Sequence, residues 1–171
     1  MGGYRVYNPS PDKFPGRDVV DKPLSKPLEV DKATQYLHDH VDHLENKPQG
    51  LCATHVANAI RSTGIPIDPP PPDPGRKFPS AKNYGPSLEA AQFNKVATSG
   101  SLGAFPPIGY LPQKGDVAVI QPTSDPQHPD GHIAMYDGKR WVSDFIQHDF
   151  WPGPRYRSER PDYEIYRHAS Q

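Results

Sequence analysis

The sequence predicts a single α+β domain in which helices come first and a small antiparallel sheet follows. Between residues 31 and 100, apolar side chains recur at intervals of three and four, which is typical of amphipathic helices. After Gly115 the interval changes to two, which is typical of strands. The chain has 171 residues, and we expect one domain to span all of them, 1–171.

The composition favours a folded domain with stiff loops. The chain has 23 Pro and 14 Gly, but it also has 9 Tyr, 6 Phe and 2 Trp, which disordered segments usually lack. The formal net charge is −1, so we expect neither nucleic acid nor an anionic membrane as a partner. No stretch approaches the 18 or so apolar residues of a membrane-spanning helix, and we expect no membrane insertion.

The first half of the chain divides into an arm and two helices. Residues 1–30 contain five prolines and predict an extended arm with little regular structure. Residues 31–48 predict a first helix that Asp31 could cap. Residues 49–64 predict a second helix, which ends at Gly64 because glycine commonly stops helices.

A proline-rich loop separates these helices from the rest of the chain. Residues 65–80 include four consecutive prolines, which predict a rigid extended loop at the rim of a groove. Residues 85–100 predict a third helix with Ser87 as a possible cap. Strands are expected at 116–122, 131–136, 140–147 and 163–168.

The loop between the second and third strands decides which residues face each other. If residues 137–139 form a three-residue hairpin loop, Tyr136 pairs with Arg140. His132 then lies directly opposite Asp144, with both side chains on one face. A register shifted by one residue would turn Asp144 to the other face, so its predicted position depends on the register.

The only cysteine, Cys52, stands where the second helix begins. The start of a helix stabilises a thiolate, which predicts a thiol pKa below the ordinary value of about 8.5 and a nucleophilic role. The alternative is a buried structural cysteine, since free cysteines are often buried. One cysteine cannot form an internal disulfide.

A nucleophilic thiol needs a base, and the base needs a residue that orients it. His132 is the candidate base, with a satisfied core histidine as the alternative. Asp144 is the candidate orienting residue, and Ser143, Gln147 and Asp137 are its competitors. Asp116 is expected to be a turn residue that holds the start of its strand.

The order of these elements resembles the NlpC/P60 and CHAP families. A cysteine that opens a helix is followed by "KGDVAVI", by "GHIAMY" and by a polar residue on the next strand, over roughly residues 49–150. The resemblance implies a papain-like fold and a cysteine peptidase or amidase that cuts peptidoglycan peptides. Its catalytic residues would be Cys52, His132 and Asp144, with no metal or organic cofactor.

The residue before the cysteine departs from that pattern. Many NlpC/P60 members have an aromatic or polar residue there, whereas this chain has Leu51. The donor to a reaction oxyanion is therefore open between the Cys52 backbone N–H and the Gln49 side chain.

The small size, the loop-rich build and the lack of a signal-peptide pattern resemble type VI secretion amidase effectors. That resemblance implies a toxin made in the cytoplasm and delivered to the periplasm of a target cell, with a periplasmic immunity protein as its partner. Two alternatives remain open: a protein deamidase or transferase toxin with the same triad, and a phage lysin or non-enzymatic adaptor.

Other motifs have plainer interpretations. His38, His40 and His43 lack the HExxH spacing of a zinc site, and we expect a solvated helix face. His55 shares the predicted nucleophile helix and is expected to be a packing residue. The segment "WPGPRYR" is either a packed loop or a contact for a sugar or a carboxylate-bearing peptide.

Overall fold

Residues 26–171 are described by a computed structural model, so most of the expected 1–30 arm lies outside the described residues. The helices are α1 (Val30–His40), α2 (Cys52–Ser62), α3 (Gly85–Ala90) and α4 (Pro154–Glu159), with a 3₁₀ turn at Ala81–Asn83. The strands are β1 (Phe93–Thr98), β2 (Val117–Ile120), β3 (His132–Tyr136), β4 (Trp141–Val142) and β5 (Tyr163–His168). Among residues 26–171, no helix has the length and apolar content needed to cross a bilayer.

The predicted α+β class is confirmed, with five antiparallel strands in the order β1-β5-β2-β3-β4. Both faces of the central strands are buried, so β2 consists of four buried residues. One face packs against α1, α2 and α3, and the other packs against aromatic loops. The helical face carries Val117, Val119, Ile133 and Met135, and the aromatic face carries Ala118, Ile120 and Ala134 against Phe105, Tyr110, Phe150 and Trp151.

Helix α1 is shorter than the apolar periodicity predicts. It ends at His40, and Leu44 is almost fully exposed. The side chain of Asp42 accepts hydrogen bonds from the backbone N–H groups of Leu44 and Glu45, and this local turn competes with continued helix. Asp31 does not cap the helix, because its carboxylate pairs with Lys114 instead.

Helix α2 begins and ends as predicted. It starts at Cys52 and stops before Gly64, whose φ of 87° lies in the left-handed region that favours glycine. Arg61 in its last turn donates two hydrogen bonds to the carbonyl of Ile67. Residues 65–80 contain no helix or strand, and the Arg61 bonds tie their beginning to α2.

The predicted third helix over 85–100 is only partly correct. Helix α3 ends at Ala90, Ser87 does not cap it, and Phe93–Thr98 form the edge strand β1 instead. Pairing with β5 overrides the helical spacing, because Phe93 lies buried opposite His168 in the sheet. Helix α4 was not predicted; Pro154 occupies its first turn, where a missing N–H costs nothing.

The predicted hairpin register is wrong. Tyr136 pairs with Trp141, so the loop between β3 and β4 has four residues rather than three. Asp137 stabilises the four-residue loop, because its Oδ1 accepts hydrogen bonds from the N–H groups of Lys139 and Arg140. His132 and Asp144 are therefore not paired across the hairpin.

Candidate active site

The thiol of Cys52 lies between the start of α2 and the start of β3. The backbone groups of Ile133, Ala53 and Cys52 itself lower its pKa. No side chain caps the helix at this end, and the Cys52 residue is half-buried. Because Ile133 directly follows His132, the thiol lies near the start of the strand that carries the predicted base. No hydrogen bond joins Cys52 to His132 among the described residues.

The predicted acidic thiol is wrong in direction. Burial, and to a smaller extent the negative charge of Asp144, raise the pKa of Cys52 to about 12. The backbone hydrogen bonds lower the pKa, but lost hydration outweighs them. The thiol is therefore protonated at neutral pH, and a nucleophilic role would need a base to remove the proton.

His132 opens β3 and is buried at 7% exposure. The residue before it, Gly131, has a φ of 67°, and a side chain there would run into the carbonyl oxygen of Ile120. Burial lowers the pKa of His132, while the hydrogen bond with Gln147 and the charge of Asp144 raise it. With the lowered pKa, the imidazole is neutral at pH 7 and can accept a proton.

The orienting partner of His132 is Gln147, not Asp144. The His132 Nε2 lies 2.8 Å from the Gln147 Oε1. Both hydrogens of the Gln147 amide are used, because Nε2 donates to the carbonyls of Asp149 and Phe150. The Gln147 oxygen therefore accepts, His132 carries its hydrogen on Nε2, and the lone pair is on Nδ1.

Asp144 holds the loop that precedes the cysteine. Its Oδ2 accepts hydrogen bonds from the N–H groups of Gln49, at 2.7 Å, and Leu51, at 2.9 Å. Its Oδ1 accepts from the hydroxyl of Ser143. The predicted contact with His132 is absent from the hydrogen bonds of the described residues, because the hairpin register places Asp144 beside the nucleophile loop. Its charge nevertheless raises the pKa of both Cys52 and His132.

The "WPGPRYR" segment contributes an aromatic wall to the site. The ring of Tyr156 lies 6.4 Å from the ring of His132, and the ring of Phe145 lies at 6.0 Å. Burial, and to a smaller extent the electrostatic effects of Cys52 and Asp130, raise the pKa of Tyr156 to about 12. Sequence reasoning placed Gln147 only among the competitors and considered Tyr156 only as part of a possible ligand contact, because no local pattern joins either residue to His132.

A groove of about 720 Å³ runs from Cys52 along the outside of α2. One wall is the start of α2 with Leu51, and the opposite wall is the proline-rich loop with Phe78. Both of these side chains are exposed, as in a site that receives an extended ligand. The thiol therefore lies at a concave surface that a peptide could enter.

The remaining candidates have structural roles. His38 binds Asp137, and His43 binds the carbonyl of His38. His40 stacks on Tyr36. Among residues 26–171, no group of three or more His, Cys, Asp or Glu side chains is arranged to hold a metal ion.

The site lies in a fold with solved relatives. No protein-family model and no curated protein matches the chain. The crystal structure of the type VI native effector–immunity complex Tae3–Tai3 from Ralstonia pickettii contains a chain with 41% identity to it and a TM-score of 0.62. That match covers 81% of this chain and 98% of the other. The selenomethionine form of the same complex matches at 42% identity and a TM-score of 0.59, over 79% of this chain and 98% of the other.

These likenesses define the class of protein as a type VI secretion effector. Within that class, the chain belongs to the Tae3 family. The resemblance to NlpC/P60 and CHAP enzymes and the papain-like fold stay predictions.

Proposed function

We propose that this protein is an antibacterial cysteine hydrolase that cuts an amide bond in peptidoglycan peptides or their crosslinks. The observation that carries the proposal is the position of the Cys52 thiol, at a groove and against the strand that begins with His132. Acyl transfer by a thiol requires a base that can take its proton, and His132, at the start of the strand near the thiol, is neutral and can do so. Membership of the Tae3 family supports an effector that acts on a competing cell.

The proposed reaction begins with a protonated Cys52 thiol and a neutral His132 imidazole. His132 Nδ1 takes the proton from the Cys52 Sγ as the sulfur attacks the substrate carbonyl carbon. The carbonyl oxygen becomes an oxyanion, for which the Cys52 backbone N–H is the candidate donor. The imidazolium then gives its proton to the leaving amine nitrogen, and the carbon–nitrogen bond breaks to leave a thioester. Water attacks this thioester, loses a proton to Nδ1, and releases the acid and the thiol.

Two side chains support this reaction in different ways. Gln147 fixes the tautomer and orientation of His132, the role that the sequence resemblance gave to Asp144. Asp144 positions the Gln49–Leu51 loop, and its charge favours the imidazolium that forms during attack. We therefore assign Cys52 and His132 to the chemistry, and Gln147 and Asp144 to positioning.

Digestion of purified sacculi tests the reaction. The wild-type protein should release peptide fragments whose masses identify the broken amide, and Cys52→Ala and His132→Ala should release none. His128→Ala is the matched control, because His128 is exposed and pairs only with Asp125. Intact sacculi with a modified target protein would favour the deamidase alternative.

Delivery and partner are tested in cells. Fused to an export signal, the protein should lyse Gram-negative cells, whereas cytoplasmic expression should be tolerated. We propose a periplasmic immunity protein as its partner, as the Tae3–Tai3 complexes suggest. Co-expression of such a protein from the producing strain should prevent lysis. Equal toxicity in both compartments would contradict the periplasmic target.

The role of Gln147 is tested by turnover and by pH. Gln147→Ala should lower kcat roughly ten- to a thousandfold, because the imidazole loses its fixed orientation. It should also move the acidic limb of the pH profile to lower pH, because the Gln147 hydrogen bond raises the pKa of His132. Gln113→Ala, an exposed glutamine away from His132, is the control. An unchanged pH profile would contradict the assignment.

A further inference from the structure

The groove beside Cys52 carries more positive than negative charge. Three cations line it, Arg61, Arg76 and Lys77, against one carboxylate, Asp130. Arg76 binds both oxygens of Asp130 at 2.6 Å, so these two charges compensate each other. Two positive charges, on Arg61 and Lys77, are left over.

Neither remaining cation has an acidic partner within residues 26–171. The guanidinium of Arg61 bonds only to neutral acceptors, the carbonyl of Ile67 and the side-chain oxygen of Asn58. The Nζ of Lys77 lies 5.3 Å from the centre of the Phe78 ring and forms no ion pair. An anionic ligand in this groove would therefore meet two cations without having to break an ion pair.

These cations lie along the same path as the thiol. Ala53, Ala57 and Arg61 all line the groove at spacings of four residues, so they form one stripe along α2. The helical rise places the Arg61 backbone roughly 13 Å from that of Cys52, about the span of four extended peptide residues. Tyr84 lines the same groove.

We propose that Arg61 and Lys77, which both line the groove, bind carboxylate groups of the substrate peptide while the scissile amide lies at Cys52. The substrate class is then an acidic peptide. This inference rests on the proposed hydrolase function. It adds that the groove selects substrate peptides that carry a negative charge.

Matched substrates and a charge reversal test the inference. Peptidoglycan peptides would be compared before and after their carboxylates are converted to carboxamides. The wild type should prefer the free carboxylates about tenfold or more in kcat/KM, mainly through KM, and added salt should shrink the preference. Lys77→Glu should abolish or reverse the preference, and Lys77→Gln should weaken it. Lys139→Glu, in the β3–β4 loop, makes the same charge change away from the groove and should leave the preference unchanged.

A binding measurement separates this inference from the proposed function. The Cys52→Ala variant should bind the carboxylate peptides more tightly than the carboxamides, with no turnover needed. Equal binding and equal cleavage of both substrates would overturn the carboxylate site and leave the hydrolase standing. Selective binding by a wild-type protein that cleaves neither would overturn the hydrolase and leave the carboxylate site standing.

Discussion

Two buried aspartates flank the central strands, and their surroundings differ in one respect. Asp116 accepts two hydrogen bonds from the Arg167 guanidinium, at 2.7 and 2.8 Å, and one from the Tyr110 hydroxyl. Within residues 26–171, Asp144 accepts hydrogen bonds only from the backbone of Gln49 and Leu51 and from the Ser143 hydroxyl. Within residues 26–171, no lysine or arginine pairs with Asp144.

Whether a nearby cation neutralises the carboxylate decides which of the two aspartates can influence the Cys52–His132 site. Arg167 neutralises the charge of Asp116, and this ion pair joins the start of β2 to the end of β5. The charge of Asp144 has no cation to compensate it, and it raises the pKa of both Cys52 and His132. Two similar residues at similar depth therefore serve stability in one case and the electrostatics of the site in the other.

The largest expected effect is on stability, at Asp116. Asp116→Ala should lower the free energy of unfolding by roughly 3 kcal/mol, because it leaves the Arg167 charge and the Tyr110 hydroxyl without their partner. Asp144→Asn should cost less than about 1 kcal/mol, because the amide oxygen can still accept from Gln49 and Leu51. Urea unfolding of both variants checks this, and a larger loss in Asp144→Asn would reverse the two roles.

The next largest expected effect is on the rate at which the Cys52 thiol is alkylated. Asp144→Asn removes the charge that raises the pKa of Cys52, and a fall of one in that pKa increases the thiolate fraction at pH 7 about tenfold. Alkylation by iodoacetamide should therefore become at least severalfold faster than in the wild type. Asp116→Asn is the matched control and should alkylate at the wild-type rate. A slower reaction in Asp144→Asn would contradict the electrostatic role.

The smallest effect is on the pH profile. The proposed mechanism needs neutral His132, whose pKa is lowered by burial, so the acidic limb of kcat/KM should lie below the ordinary histidine value of about 6.5. The charge of Asp144 raises this pKa, so Asp144→Asn should move the limb to still lower pH. Profiles from pH 4 to 8 check the direction. A limb that moves to higher pH in Asp144→Asn would disprove the coupling.

Features that depend on neighbouring residues could be predicted from the sequence. The start of α2 at Cys52 and its end before Gly64 follow from spacing and from glycine's access to positive φ. The strands β2, β3 and β5 follow from their period and their apolar residues. The candidate thiol and imidazole were identified by residue type and order alone.

Features that depend on distant residues were decided only by the tertiary structure. The edge strand β1 exists because β5 pairs with it, against a local helical spacing. Asp144 binds the N–H of Leu51, 93 residues away, and no local pattern in the sequence reveals that contact. The pKa of Cys52 is raised because packing removes water and brings Asp144 near, which outweighs the local effect of the helix start. Local geometry depends on a few adjacent residues, whereas register, burial and the sum of charges depend on the folded chain.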